Sequence, residues 1–335
     1  MNSVIKGAGY VLVHAPDMVL HAGTTQTTEK IVNPESEYLK ELPNHIRSYE
    51  DVVAYMPNQT YIGNMTPEEL AQHEQPWVGK NMENAQRYGK FGEIMPQDEF
   101  LLLMQACDAF ELLYLDKAFV AATKDKLAAD PVITEDIMAK VLEGIEGTEI
   151  KRLVDEEHAE PLYHMGNLVG CVKRAHDVDV NLSAHVMFEN IACKASSVLA
   201  LLHAVKAAGI DKADVEYVID CAEEACGDMN QRGGGNFAKA AAEIAGLVNA
   251  SGSDLRGFCA APTHAMIEAA SLVKAGSYKT VVVTAGGCTA KLGMNGKDHV
   301  KKGLPIMEDM IGGFAVVVTQ DDGVSPEINL DMLGR

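Results

Sequence analysis

The sequence predicts an α/β protein: a layered, mixed but mostly parallel sheet with a largely helical insertion near its front. Three observations carry that expectation. After Val169, helix-forming stretches and short apolar strands alternate, the pattern of crossover units. Glycines stand where the chain must reverse, at Gly209, Gly252 and Gly276. At 335 residues and 47% apolar composition, the chain can bury one large or two moderate cores.

The elements follow in order. "SVIKGAGYVLVHAPDMVLHAG" predicts one or two strands punctuated by glycine, and Thr24 to about Gln97 is polar, weakly periodic and suited to loops and short elements. From Asp98, "DEFLLLMQACDAFELLYLDKAFVAATKDKLA" has helical spacing, and "TEDIMAKVLEGIEGTEIKRLVDEEH" opens on a Thr/Glu start signal, so residues 98 to 157 are expected to be helical. Then come the helix "ENIACKASSVLALLHAVKAAG", the strand "VEYVID", the helix "NFAKAAAEIAGLVNASG" ending near Gly252, and the extended "DLRGF". A helix beginning near Cys259, the strand "YKTVVVTAGG", a glycine- and lysine-rich loop, and "GGFAVVVTQDDG" complete the chain. The domain division expected is residues 1–24 with 166–335 as one body and 25–165 as the insertion.

Charge and cysteine usage exclude several classes. Acidic residues outnumber basic ones by 20 (48 against 28), which repels nucleic acid phosphates and anionic lipid, and there is neither a K/R-rich tract nor a run of ~18 apolar residues. Neither a nucleic acid nor a membrane partner is expected. The N-terminal "MNSVIKGAGYVLVH" lacks the sectors of a secretory signal, so a cytoplasmic location is expected. Seven cysteines, an odd number scattered through a long chain, suit reduced thiols better than a disulfide framework.

Cys259 stands out in "SDLRGFCAAPTHAMIEAASLVKAG". Pro262 is tolerated in a first helical turn and costly further in, so it places the helix start at or just before Cys259. A thiol there faces unpaired N–H groups and the positive end of the helix dipole, which favour thiolate, the reactive species. The same residue would also serve as a small apolar plug in a strand-to-helix turn. His264 falls about 140° round the helix from Cys259 and suits a wall or interface rather than a base.

Gly233, Gly234 and Gly235 precede a helix and could cradle a phosphate on backbone N–H groups, although a plain flexible loop has the same composition and no lysine-serine pair completes a nucleotide-binding loop. Cys221 and Cys226 match neither a redox nor a zinc spacing, and His158, His164, Cys171 and His176 fit no closed zinc pattern, so no metal is expected.

From about Gly170 to Gly323 the chain resembles the first half of the thiolase-like condensing enzymes, in particular β-ketoacyl-acyl-carrier-protein synthase III. "AVKAAGIDKADVEYVID" is similar to the family's helix and strand before its substrate-pocket loop. "GFCAAPTHAMIEAASLVKAGSYKTVVVTAGG" is similar to its nucleophilic cysteine, buried helix and following strand, "IGGFAVVV" to a later glycine-rich strand, and "SVIKGAGYVLVHAP" to its first strand. The resemblance implies that Cys259 is the acyl-accepting thiol and that Gly233–Gly235 lie at a dimer interface beside the partner's acyl pocket. Histidine or asparagine partners in a second half are also implied; the sequence ends at Arg335, so that half is expected either in a longer subunit or on another chain.

With "GTTQTTEKIVNPESEYL" and "YIGNMTPEEL", the whole chain is more specifically similar to β subunits of component C of the glycine, sarcosine and betaine reductase complexes. What this implies is a role in a complex that takes the carboxymethyl group carried by the small selenoprotein A and ends with an acetyl thioester on component C. Inorganic phosphate as co-substrate then releases acetyl phosphate, and no cofactor is expected on this chain. Implied partners are the other component C subunit, selenoprotein A and a second copy of the chain. A carbon-carbon condensing enzyme using the same cysteine, and a non-catalytic assembly subunit, are the rival readings.

Overall fold

The computed structural model describes residues 2–222 and 236–334. Ten strands are present among them: β1 (Ser3–His14), β2 (Gly92–Met95), β3 (Leu113–Leu115), β4 (Glu160–His164), β5 (Asn167–Val172), β6 (Tyr217–Asp220), β7 (Ser251–Asp254), β8 (Thr280–Ala285), β9 (Met310–Gln320) and β10 (Glu327–Ile328). Seven form the main sheet in the order β10-β1-β9-β8-β6-β7, with β2 also pairing on β1. β1, β2, β6, β7 and β8 point one way, and β9 and β10 run against them. The α/β class and the mixed, mostly parallel sheet are therefore as expected.

Strand alternation assigns the two faces of this sheet. Val11, Val13, Val282, Ala315 and Val317 turn toward the central helix, Ala184–Ala208, and form one core with it. Val281, Val283, Val316 and Val318 turn the other way, toward the helix Ala261–Lys274, whose Ala261, Ala265, Ala269 and Val273 bury against them. On that second face, nearer β2, Leu12 and Met310 meet Val52, Ile62 and Ile94.

The close packing of β1 on the central helix explains its glycines. A Cβ at Gly9 would stand 2.3 Å from the Ala200 carbonyl oxygen, and one at Gly7 would stand 2.6 Å from the Ala208 nitrogen. These residues do not punctuate the strand, which runs unbroken from Ser3 to His14; the apolar run after it is a helix, Pro16–Ala22, with Pro16 in its first turn.

Other boundaries also differ from expectation for local reasons. The helix after Asn236 stops at Ala245, because Gly246 takes a left-handed φ of 80° and ends it a full turn before Gly252, which lies in β7. Residues 98 to 157 carry the expected helices, but β3 separates two of them and pairs with β5, which also pairs with β4. Met165 and Gly166, at φ of 50° and 73°, form the tight two-residue connection of the β4–β5 hairpin.

The central helix is the one helix among the described residues long and apolar enough to cross a membrane, and 89% of its apolar window is buried inside the fold.

Candidate active site

Cys259 lies in a single 3-10 turn, Phe258–Ala260, that leads into the helix Ala261–Lys274, with Pro262 in that helix's first turn. The proline thus marks the helix start as the sequence suggests, and Cys259 sits just outside it. Phe258, immediately before the cysteine, has a φ of 50° and is 80% exposed. A left-handed non-glycine residue costs on the order of 1 kcal/mol or more, and such strain concentrates at functional turns.

Burial divides the cysteines. Among the described residues, Cys107, Cys171, Cys193, Cys221 and Cys288 are buried and Cys259 is exposed. Burial pushes the thiols of Cys107, Cys171 and Cys221 up to about 12, which keeps them protonated at neutral pH. Cys226, Gly233, Gly234 and Gly235 lie outside the described residues.

Cys259 opens on a cavity of about 280 Å³ lined by Tyr61, Cys221, Ala222, Phe258, Pro262, Ala285, Gly286, Gly312, Gly313 and Phe314. The main sheet supplies most of it, through the ends of β6 and β8 and the start of β9. Cys221, at the end of β6, donates its S–H to the Thr284 carbonyl at 3.4 Å, so it serves as wall. Gly286 and Gly313 are pressed against the central helix, where an added Cβ would meet the carbonyl oxygens of Cys193 at 1.9 Å and Ser196 at 2.8 Å.

Behind the cavity an ion pair ties down the segment that carries the cysteine. Arg256 donates from Nη1 to Oδ2 of Asp220 at 2.8 Å, and its Nη2 stands 3.7 Å from Asp254. Asp254 in turn accepts from the backbone N–H groups of Phe237 and Ala238 at a helix start. Burial, the largest influence, raises the Asp220 carboxyl to about 7; the nearby Asp254 charge adds to this and Arg256 opposes it.

Other sequence candidates are dispersed. His264 is exposed on the helix Ala261–Lys274. His158 ends a helix in a left-handed conformation, His164 and Cys171 lie in β4 and β5, and His176 accepts from the N–H of Asp179. No group of three or more His, Cys, Asp or Glu side chains placed to hold a metal occurs among the described residues. A larger cavity, about 550 Å³, is lined by Arg47, His45, Asp51 and Tyr55, and none of its lining residues is a cysteine. Its Arg47 is already paired with the buried Asp309.

Sequence reasoning missed Tyr61, Gly286 and Gly312 as cavity residues. The paired glycines at the end of one strand run and the start of another, "TAGG" and "IGG", were the available signal. Tyr61 carried none, because its place depends on a long-range contact.

No family model matches the chain. Along 334 residues, 99% of its length, it is 64% identical to the glycine/sarcosine/betaine reductase complex component C subunit beta of Peptoclostridium acidaminophilum, and it spans 65% of that relative's length. The resemblance seen in the sequence is thereby borne out. Solved structures include the priming β-ketosynthase of the R1128 polyketide biosynthetic pathway, 25% identical with a TM-score of 0.31 over 38% of this chain and 36% of that one. Others are 3-oxoacyl-[acyl-carrier-protein] synthase III of Aquifex aeolicus VF5, 19% identical, TM-score 0.29, over 38% and 39%, and cerulenin-bound OleA of Xanthomonas campestris, 14% identical, TM-score 0.30, over 63% and 56%.

Proposed function

We propose that this chain, similar along nearly its whole length to a component C subunit beta, is the acyl-carrying subunit of a glycine/sarcosine/betaine reductase-type complex, with Cys259 accepting an acetyl group as a thioester. One observation carries the reading. Among the described cysteines, Cys259 alone is exposed, and it stands at a cavity whose walls include bare glycine backbone. A thioester needs an accessible thiolate and room for a planar carbonyl beside it, and the buried thiols offer neither.

The release step balances with phosphate alone. A phosphate oxygen attacks the thioester carbonyl, a C–O bond forms, the C–S bond breaks, acetyl phosphate leaves, and Cys259 sulfur departs as thiolate. The charge that develops on the carbonyl oxygen needs a donor, and the backbone N–H of Cys259 itself is the candidate, because Ala260 and Ala261 already donate to the carbonyls of Gly257 and Phe258 and Pro262 has no N–H. In this reading selenoprotein A brings the carboxymethyl group, and thiol or selenol groups of the partners supply the two electrons that cleave its C–Se bond and leave it at the acetyl level. The other component C subunit and a second copy of the chain are partners, and the reaction runs in the cytoplasm without a cofactor on this chain.

The test is direct. Incubation with an acetyl thioester followed by peptide mapping is expected to place an acetyl group on Cys259, to release it as acetyl phosphate when phosphate is added, and to give no adduct in Cys259→Ala. Acetylation at another residue, or none in the assembled complex, would overturn the proposal. Substitution separates it from an assembly role: Cys259→Ala is expected to abolish release of acetyl phosphate while the complex still assembles, whereas an assembly role predicts that release is retained.

A further inference from the structure

The cavity beside Cys259 has one wall that neither the sheet nor the cysteine's own helix supplies. Tyr61 belongs to the helix Met56–Ile62, far from Cys259 in sequence, and reaches the cavity from the opposite side. Its ring packs on Tyr10 of β1 with centroids 5.3 Å apart, and its hydroxyl donates to the Gly313 carbonyl at 3.2 Å. Partial burial pushes the phenol up to about 12, so it stays a neutral donor and the anchor holds across the physiological range. Tyr61 is therefore a positioned ring and not a loose surface side chain.

Gly312 supports the same reading from below. Its φ is not left-handed, and an added Cβ would find only Leu12 Cδ2, at 4.0 Å. Neither backbone conformation nor packing within the chain requires glycine there. It lies on the sheet face shared by the helix Ala261–Lys274 and the helix Met56–Ile62, in the gap between these two covers. The Tyr61 ring on one side and the bare strand at Gly312 on another both bound the cavity, so the ring takes up room beside Cys259 that a smaller side chain would leave open.

We propose that Tyr61 sets the length of the acyl group that Cys259 accepts, restricting it to very short chains; this rests on the reading of Cys259 as the acyl acceptor. With a thioester as acyl donor, the Cys259 thiolate sulfur bonds to the carbonyl carbon, the donor's C–S bond breaks, and the donor leaves as thiolate and takes a proton from water. Tyr61 takes no part in those bonds and acts only through the space it occupies. Discrimination by one or a few methylenes in an apolar pocket is typically about 10- to 200-fold.

The experiment compares acetyl and hexanoyl N-acetylcysteamine thioesters on the full chain, reading the Cys259 adduct by mass spectrometry. Acetyl is expected to react at least about 10-fold faster in the wild type. Tyr61→Val is expected to bring the two rates together, and Tyr61→Phe, which keeps the ring, to preserve the preference. Gly312→Val approaches the same space from the strand and is expected to slow both donors without depending on how Tyr61→Val folds. Equal rates in the wild type, an unchanged ratio in folded Tyr61→Val, or unchanged rates in Gly312→Val overturn the assignment of Tyr61. A wild type that gives no adduct on Cys259 with either thioester overturns instead the acyl-acceptor reading beneath it.

Discussion

Two helices lie on opposite faces of the same sheet and are built on opposite plans. The central helix, Ala184–Ala208, buries 20 of its 25 residues, with Leu199, Ala200 and Leu201 sealed from solvent. The helix Ala261–Lys274 buries five of 14, four of them alanines. Its Thr263 and His264 face solvent one turn from Cys259. The first helix is what the fold stands on, and the second is a thin cover with a reactive residue at its mouth. Small side chains let the cover lie close to the sheet, but they bury little apolar area, so tertiary packing restrains it less.

The sharpest way to break this contrast is to truncate a side chain on each helix. Leu199→Ala removes a fully buried side chain from the main core and is expected to cost about 2–5 kcal/mol. His264→Ala on the exposed face is expected to change stability by no more than about 0.5 kcal/mol. Thermal or denaturant unfolding of the two variants checks both. Comparable losses would show that the second helix carries a share of the core that its burial does not reveal.

A smaller effect tests the same division at the cavity itself. Gly286 and Gly312 both line it, but Gly286 is wedged against the central helix, where an added Cβ would sit 1.9 Å from the Cys193 carbonyl. Gly286→Ala therefore forces a backbone shift and is expected to cost about 1–3 kcal/mol, against about 0.5 kcal/mol or less for Gly312→Ala. Unfolding midpoints that ranked the two the other way would contradict the placement of the faces.

Much of this was readable in the sequence because its signals are local. Pro262 marked the start of the cysteine's helix, Gly209 the end of the central one, and "VVVT" the buried strand, each through conformational limits that hold whatever the surroundings. The resemblance singled out Cys259, but it also implied a buried helix behind that cysteine. Among the described residues the cysteine's own helix is buried along one face, whereas the central helix is buried at 20 of 25 positions and the helix Gln97–Cys107 at every position. The β4–β5 hairpin went unseen because its turn uses Met165, a residue that seldom adopts a positive φ. Tyr61 went unseen for a deeper reason: its role exists only once β1 and β9 pair and bring Tyr10 and Gly313 together, which no local pattern encodes.

The smallest of the expected effects concerns the charge held beneath the cysteine's turn. Asp220 is wholly buried and its carboxyl is raised to about 7, chiefly by burial and then by Asp254, with Arg256 pulling the other way. An unfolded chain releases this proton near pH 4, whereas the folded one keeps it until about 7, so over that interval the folded state holds more protons. The sign follows: this group's contribution to stability is fully present below the unfolded value and is lost as pH rises toward 7. Asp220→Asn cannot titrate and still offers Arg256 an acceptor oxygen, so it lacks that decline. The difference in stability, variant minus wild type, is expected to grow from pH 4 to pH 7 by about 1 kcal/mol or more, measured by thermal unfolding at intervals of pH, and then to level off. A difference that stayed flat would mean that Arg256 already holds Asp220 ionised, and that the turn bearing Cys259 rests on a full buried ion pair.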